Sequence, residues 1–177
     1  NAYGHGAIEV AKAMEEAGVG FFGVAAIDEA LELREENIKT PVLILGQIFI
    51  QDYISAIENN ITCTVADADT AKRLSDTALS IGKKAQVHIK IDTGMGRIGV
   101  FPDETGLEFV KQVSQIEGLE IAGVFTHFVA NEQIYDRHKK EAFEMLRRAI
   151  NVNNNSDSNP RLTLNPNKSS FYDMDIN

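Results

Sequence analysis

Gln86-Val-His-Ile-Lys-Ile-Asp92, followed at once by Thr93-Gly-Met-Gly-Arg-Ile-Gly99, is the stretch whose reading decides the fold. Val87, Ile89 and Ile91 alternate with Gln86, His88, Lys90 and Asp92, so a strand of period two sets the apolar residues on one face and the polar ones on the other. In a parallel β/α sheet or barrel that polar face points into a shared interior, and Lys90 and Asp92 fall near the carboxyl end, where such folds place chemistry. Arg97 then projects from a loop in which Gly94, Gly96 and Gly99 let a ligand approach the main chain. The plainer alternative is an ordinary βα turn with a surface arginine and a strand-end ion pair.

A chain of 177 residues, 44% hydrophobic, can bury one substantial core. It starts at Asn1 without methionine and stops at Asn177 inside an unfinished pattern, so a piece of a longer protein is expected. Seventeen Lys and Arg against 26 Asp and Glu give a net charge of -9 and a pI near 4.9, which leaves no basic footprint for nucleic acid. No apolar run is long enough to span a bilayer, and no signal-peptide pattern is visible at this start. The single cysteine, Cys63 in Ile61-Thr-Cys-Thr-Val65, excludes an intrachain disulfide and reads as a buried strand residue.

Working outward, Asn1 to Gly6 reads as a loop following a strand, and Ile8, Val10, Ala11, Met14 and Ala17 recur at helical spacing before Gly18. Phe21 to Ala26 is a short apolar strand, and Asp28 is the candidate cap of a helix to Asn37. Pro41 to Gly46 is a strand, Gln51 to Asn59 a helix, Ile61 to Val65 a strand and Asp67 to Ile81 a helix. Beyond Arg97, Pro102-Asp-Glu104 opens a helix toward Gly118, Leu119 to Phe128 forms a strand, and Ile134 to Ile150 a long charged helix. Asn151 to Pro160 reads as an exposed loop or local disorder, and Arg161 to Leu164 as one further strand. Strand, loop and helix recurring with short connections predict βαβ units and a parallel sheet. No G-x-G-x-x-G follows a first strand, so the α/β class expected is a closed (β/α)8 TIM-type barrel, with only its middle units in this sequence.

The strand Leu119-Glu-Ile-Ala-Gly-Val-Phe-Thr-His-Phe128 carries a second candidate, His127, placed at the carboxyl end in parity with Ile121, Gly123 and Phe125. A lone histidine there is commonly a packing residue, but two neighbouring strands ending in titratable groups around Arg97 make a converging cationic site. Such a site suits an anionic ligand bearing phosphate or carboxylate. Tyr3-Gly-His-Gly6 lies at the same rim, or is simply a glycine-rich turn.

Asn1-Ala-Tyr-Gly-His-Gly6, Ile89-Lys-Ile-Asp-Thr-Gly-Met-Gly-Arg-Ile-Gly99 and Thr126-His-Phe128 resemble, in order and spacing, consecutive motifs of the bacterial alanine racemases, pyridoxal 5'-phosphate enzymes of fold type III. The resemblance covers Asn1 to about Ile150. It implies that Tyr3 contacts the cofactor phosphate and that His127 lines the cofactor ring. Arg97 would bond the cofactor phenolic oxygen and face the substrate carboxylate, and Lys90 would match the family's carbamylated lysine that holds this arginine. Arg97 and Lys90 are thus the implied catalytic residues. Pro166-Asn-Lys-Ser169 departs from the family's phosphate-binding asparagine-serine pair, since Lys168 stands for the serine, with Asn167 the candidate match for the asparagine.

The activity so implied is interconversion of L- and D-alanine, supplying D-alanine for peptidoglycan, by a cytoplasmic homodimer whose active sites are completed across the interface. The family's Schiff-base lysine would sit two residues before Asn1, and its catalytic tyrosine belongs to a carboxyl-terminal β domain of the partner subunit. Residues 1–177 alone are therefore expected to be an inactive part of the barrel domain. Three alternatives stay open: a racemase for another amino acid such as serine, a non-catalytic pyridoxal-phosphate carrier with the same barrel, and a barrel enzyme for another phosphorylated metabolite.

Overall fold

The central strand is β4 (Ala85–Ile91), and its alternation has the predicted consequence: Val87, Ile89 and Ile91 are fully buried among helix side chains. In a computed structural model that describes residues 1–127, 144–145 and 147–155, this strand lies within a five-stranded sheet. Its other members are β1 (Phe22–Val24), β2 (Val42–Ile44), β3 (Ile61–Val65) and β5 (Leu119–Thr126). Each strand pairs in parallel with its neighbour in sequence, giving the order β1-β2-β3-β4-β5. A doubly wound sheet reverses direction at a switch point. Here the order never reverses, so every crossover steps the same way and the sheet is an arc of a barrel.

Helices α1 (Ala7–Glu16), α2 (Ile27–Glu35), α3 (Tyr53–Glu58), α4 (Ala68–Ser80) and α5 (Glu104–Ser114) fill the crossovers. Helix α4 shows why they form and which side they bury. Asp67 caps it by accepting from the Thr70 amide at 2.7 Å, Ala71, Leu74, Ser75 and Ala78 bury one stripe, and the chain leaves through Gly82 at φ 66°. Asp103 caps α5 in the same way, accepting from Thr105 and Gly106, as the Pro102-Asp-Glu104 signal predicts. Burying a side chain such as Leu74 or Val110 contributes about 1.5–3 kcal/mol, so these stripes hold the helices on the sheet more firmly than their exposed i,i+4 ion pairs do.

At the amino ends of the strands, Arg34 donates to the carbonyls of Ile38, Thr40, Asn59 and Asn60. One oxygen of Glu15 accepts from the Lys39 and Thr40 amides and the Thr40 hydroxyl. These side chains tie the entries of β2 and β3 to α1 and α2, leaving the opposite rim free for a site.

Three local expectations need correction. Asp28 does not cap α2: extended Ala26 holds the N-cap position, Asp28 lies in the first turn, and the Ala25 amide is taken by Glu29 at 2.8 Å. Residues 151–154 are helical rather than loop, with Asn153 fully buried, because the helical turns at 147–150 continue and bury Ala149 and Asn153 together. The third is a register slip between β4 and β5. Ile121 pairs with Val87 but Gly123 pairs with His88, so Ala122 is an extra residue and the faces exchange there. His127 therefore keeps step with Gly123 and Phe125 beside Lys90, while Ile121 packs with Val87 in the helix-side core. The expected helix at 134–143 and the expected strand at 161–164 lie outside the described residues, as does the segment 166–169.

Candidate active site

Lys90 reaches the site because the pleat of β4 turns it away from the helices, onto the face shared with Gln86 and His88. It is 4% exposed, and its Nζ lies 4.5 Å from the centre of the Phe125 ring on β5, its partner in register. Among the described residues Lys90 has no hydrogen bond or ion pair to a carboxylate. Burial first, and the nearby Arg97 charge second, lower its pKa below the ordinary lysine value, with Asp92 opposing them. A desolvated cation on an aromatic face gains about 2 kcal/mol, whereas removing an ion from water costs several. The balance disfavours the charged form relative to a lysine in water.

Asp92 follows one residue after the strand and turns its carboxylate back into the loop. One oxygen accepts from the amides of Gly94 at 2.9 Å and Gly96 at 3.0 Å, and the other from the amide of Arg97 at 3.1 Å. Burial raises the Asp92 pKa, but the amides of Gly96, Gly94, Arg97 and Met95 outweigh it and hold the carboxyl below its ordinary value. The far end of the loop is fastened to the same strand. The Val100 amide donates to the Lys90 carbonyl at 2.9 Å, and the Asp92 amide to the Val100 carbonyl at 2.8 Å. Gly99 makes that return possible: its φ is 139°, and a Cβ there would stand 2.5 Å from the Asp92 nitrogen. Arg97 is exposed at the top of this anchored loop.

Thr93, almost completely buried, shares a 2.8 Å hydroxyl contact with Thr126, the last residue of β5. His127, which is exposed, follows directly. Lys90, Arg97 and His127 are thus brought to the carboxyl ends of two adjacent strands. Tyr3 stands elsewhere on the rim. It is fully exposed on a short 3-10 turn at φ 57°, and lines an open cleft of about 720 Å³ with Phe22, Val24 and Leu45 at the β1–β2 side. Four strand spacings, about 19 Å along the sheet, separate β1 from β5.

Two features went unread in the sequence. The Asp-x-Gly-x-Gly spacing is an available signal for a carboxylate that caps its own loop. The other is His88, wedged between Phe21 and Phe125 at ring-centre distances of 5.2 and 6.2 Å, against Gly123, where a Cβ would collide with the imidazole. Neither ring nitrogen has a hydrogen-bond partner among the described residues, and burial pushes the His88 pKa down to about 4. No group of three or more His, Cys, Asp or Glu side chains able to hold a metal exists among the described residues, and no described helix is long and apolar enough to cross a membrane. Cys63 is buried on β3 as expected, its thiol pushed up to about 12 by burial.

A sequentially wound parallel β/α arc, with Lys90, Arg97 and His127 where two of its strands end, defines part of a TIM-type barrel domain. Residues 1–170 match the family described as alanine racemase, N-terminal domain, and the chain belongs to that family. It is 44% identical over 153 residues to an alanine racemase of Clostridium perfringens (strain SM101 / Type A), covering 86% of this chain and 39% of that protein. Among solved structures it is similar to the alanine racemase of Clostridium difficile 630 in complex with cycloserine, with TM-score 0.80 and 35% identity, over 85% of this chain and 42% of that one. It is also similar to a histidine racemase from Leuconostoc mesenteroides subsp. sake, with TM-score 0.73 and 30% identity, over 80% of this chain and 39% of that one. The chain therefore spans about two-fifths of the length of these relatives.

Proposed function

We propose that the complete protein is a pyridoxal-phosphate-dependent racemase of alanine and that this chain supplies the cationic side of its cofactor site. The observation carrying the reading is the pairing of buried Lys90 with Arg97 at one strand end, neither side chain having an anionic partner among the described residues. The exposed Arg97 guanidinium fits a ligand bearing a phenolic oxygen, together with an amino-acid carboxylate. Membership of the alanine racemase family supports the choice of that cofactor and substrate.

The cofactor, when bound, supplies an electron sink for the carbanion left as the substrate α proton departs. The chain's own residues prepare its surroundings. Lys90, whose charged form is disfavoured by burial and by Arg97, would attack carbon dioxide as the free amine through its Nζ and lose a proton to solvent, which leaves a carbamate. That anion would pair with the Arg97 guanidinium by charge-assisted hydrogen bonds and fix its plane, and the remaining N–H groups of Arg97 would hold the cofactor's phenolic oxygen and the substrate carboxylate. His127, just beyond β5, would line the cofactor ring, and Tyr3 would contact the phosphate. Inversion also needs an acid and a base on opposite faces of the substrate. In the family that the motifs resemble these are a lysine, expected two residues before Asn1, and a tyrosine of the partner subunit's carboxyl-terminal domain, which would make the working unit a homodimer. The product D-alanine would serve cell-wall synthesis in the cytoplasm.

A second reading is a racemase for a different amino acid, favoured by the similarity to the histidine racemase. Chiral chromatography of alanine, serine and histidine incubated with the complete protein separates the two, alongside absorbance of any co-purified cofactor. Alanine turned over fastest by protein that carries pyridoxal phosphate supports the proposal, and another preferred amino acid moves it to the second reading. Protein with neither the cofactor nor racemisation contradicts both.

A further inference from the structure

We propose that Asp92 is a positioning residue for the reaction: its carboxylate, by accepting from the Arg97 amide while holding Gly94 and Gly96, sets where the Arg97 guanidinium stands relative to Lys90. This rests on the racemase reading, and it assigns a role to a residue whose carboxylate is taken up by the amides of its own loop.

The geometry carries the inference. The loop from Thr93 to Gly99 has no regular structure of its own, yet it must hold a flexible side chain at one height above β4. Three amides converge on the two Asp92 oxygens, and Asp92 as a residue is 7% exposed. The peptide following Ile91 is also where the loop returns, through Val100 on either side and Gly99 packed on the Asp92 backbone. Lys90 and Arg97 are therefore the two ends of one closed circuit whose keystone is Asp92. The division of labour between its oxygens is unequal, since one serves Gly94 and Gly96 and the other serves Arg97 alone. An asparagine keeps one acceptor and presents an NH2 in place of the other. Retaining two bonds over one, Asp92→Asn keeps the glycine amides and opposes the Arg97 N–H with a donor.

Two measurements test this. In the cofactor-free complete enzyme, residue-resolved hydrogen exchange should show the Gly94, Gly96 and Arg97 amides protected. In Asp92→Asn the Arg97 amide should exchange at least tenfold faster while both glycine amides stay protected. An Arg97 amide unprotected in the wild type, or unchanged in the variant, overturns the proposal, and the wild-type arm stands even if the variant does not fold. In the loaded enzyme, Asp92→Asn should lower kcat/KM about ten- to a hundredfold, in keeping with the cost of misplacing a catalytic group by about 1 Å. The same change in an Arg97→Lys background should cost less than about threefold, because the residues act as one unit. Full additivity would mean that Asp92 merely stabilises the fold. Wild-type protein without racemase activity refutes the functional reading and leaves the exchange result as an independent test of the loop.

Discussion

Lys90 and Phe125 are partners in the β4–β5 register, and the lysine Nζ lies 4.5 Å from the centre of the aromatic ring. The phenyl ring covers the amine without offering it a carboxylate, while Arg97 adds a second positive charge nearby. Both lower the Lys90 pKa below the ordinary lysine value, which is the direction the proposed carbamate requires. In the complete enzyme, Lys90→Ala should lose activity and recover part of it with added acetate or propionate, small anions able to occupy the vacated position beside Arg97. Steady-state racemisation rates with and without 50–100 mM carboxylate, on the order of a weak-binding concentration, provide the check. An undiminished rate in Lys90→Ala removes the residue from the mechanism.

Arg97→Lys keeps the charge but loses the planar fork that serves two oxygens at once. Loss of one charge-assisted contact made in the transition state should cost about 2–4 kcal/mol, or roughly thirty- to a thousandfold in kcat/KM. Kinetics within a few-fold of wild type would return Arg97 to the status of a loop residue.

His88 makes stability depend on pH with a definite sign. Its pKa falls from 6.5 to about 4 on folding, so between those values the unfolded chain binds a proton that the folded chain refuses. Stability is therefore lost as pH falls from about 6.5 toward 4, by up to about 3 kcal/mol if this group acts alone. His88→Phe, a ring of similar shape between Phe21 and Phe125, should remove that contribution. Urea unfolding of both proteins from pH 7 to pH 4 should show the gap moving in favour of the variant as acid is added, and parallel curves would contradict the assignment.

Gly99→Ala places a methyl group on the Asp92 backbone at a φ that other residues avoid. The expected loss is about 1–3 kcal/mol of stability, together with a displaced Arg97. Melting temperature and kcat/KM should fall together, and a fully active variant of normal stability would show that the loop does not return against β4 as described.

Much of this was legible in the chain, for identifiable reasons. The two-residue alternation of β4 survives because each face meets a different environment, and α4 and α5 declare themselves through Asp67 and Asp103, whose carboxylates satisfy the first amides. The slip at Ala122 left no mark, because small and apolar residues on both sides tolerate either face. Asp92 was placed correctly but given the wrong direction. Strand periodicity points it into the interior, yet three loop amides only a few residues away outbid that preference. The pairing of His88 with Phe21 joins residues of β4 and the entry to β1, a long-range contact no local pattern encodes. Tyr3 lines a cleft beside β1, and its separation from β5 follows only from the strand order.

The central claim is that the cationic end of β4 belongs to an enzyme that inverts the α carbon of alanine. The most direct measurement is proton NMR and chiral analysis of L-alanine incubated in deuterated water with the complete enzyme and pyridoxal phosphate. The account predicts loss of the α-proton signal together with accumulation of D-alanine to a near-equal mixture, both strongly reduced in Arg97→Lys. L-alanine that retains its α proton and its configuration, in the presence of enzyme loaded with cofactor, would contradict it.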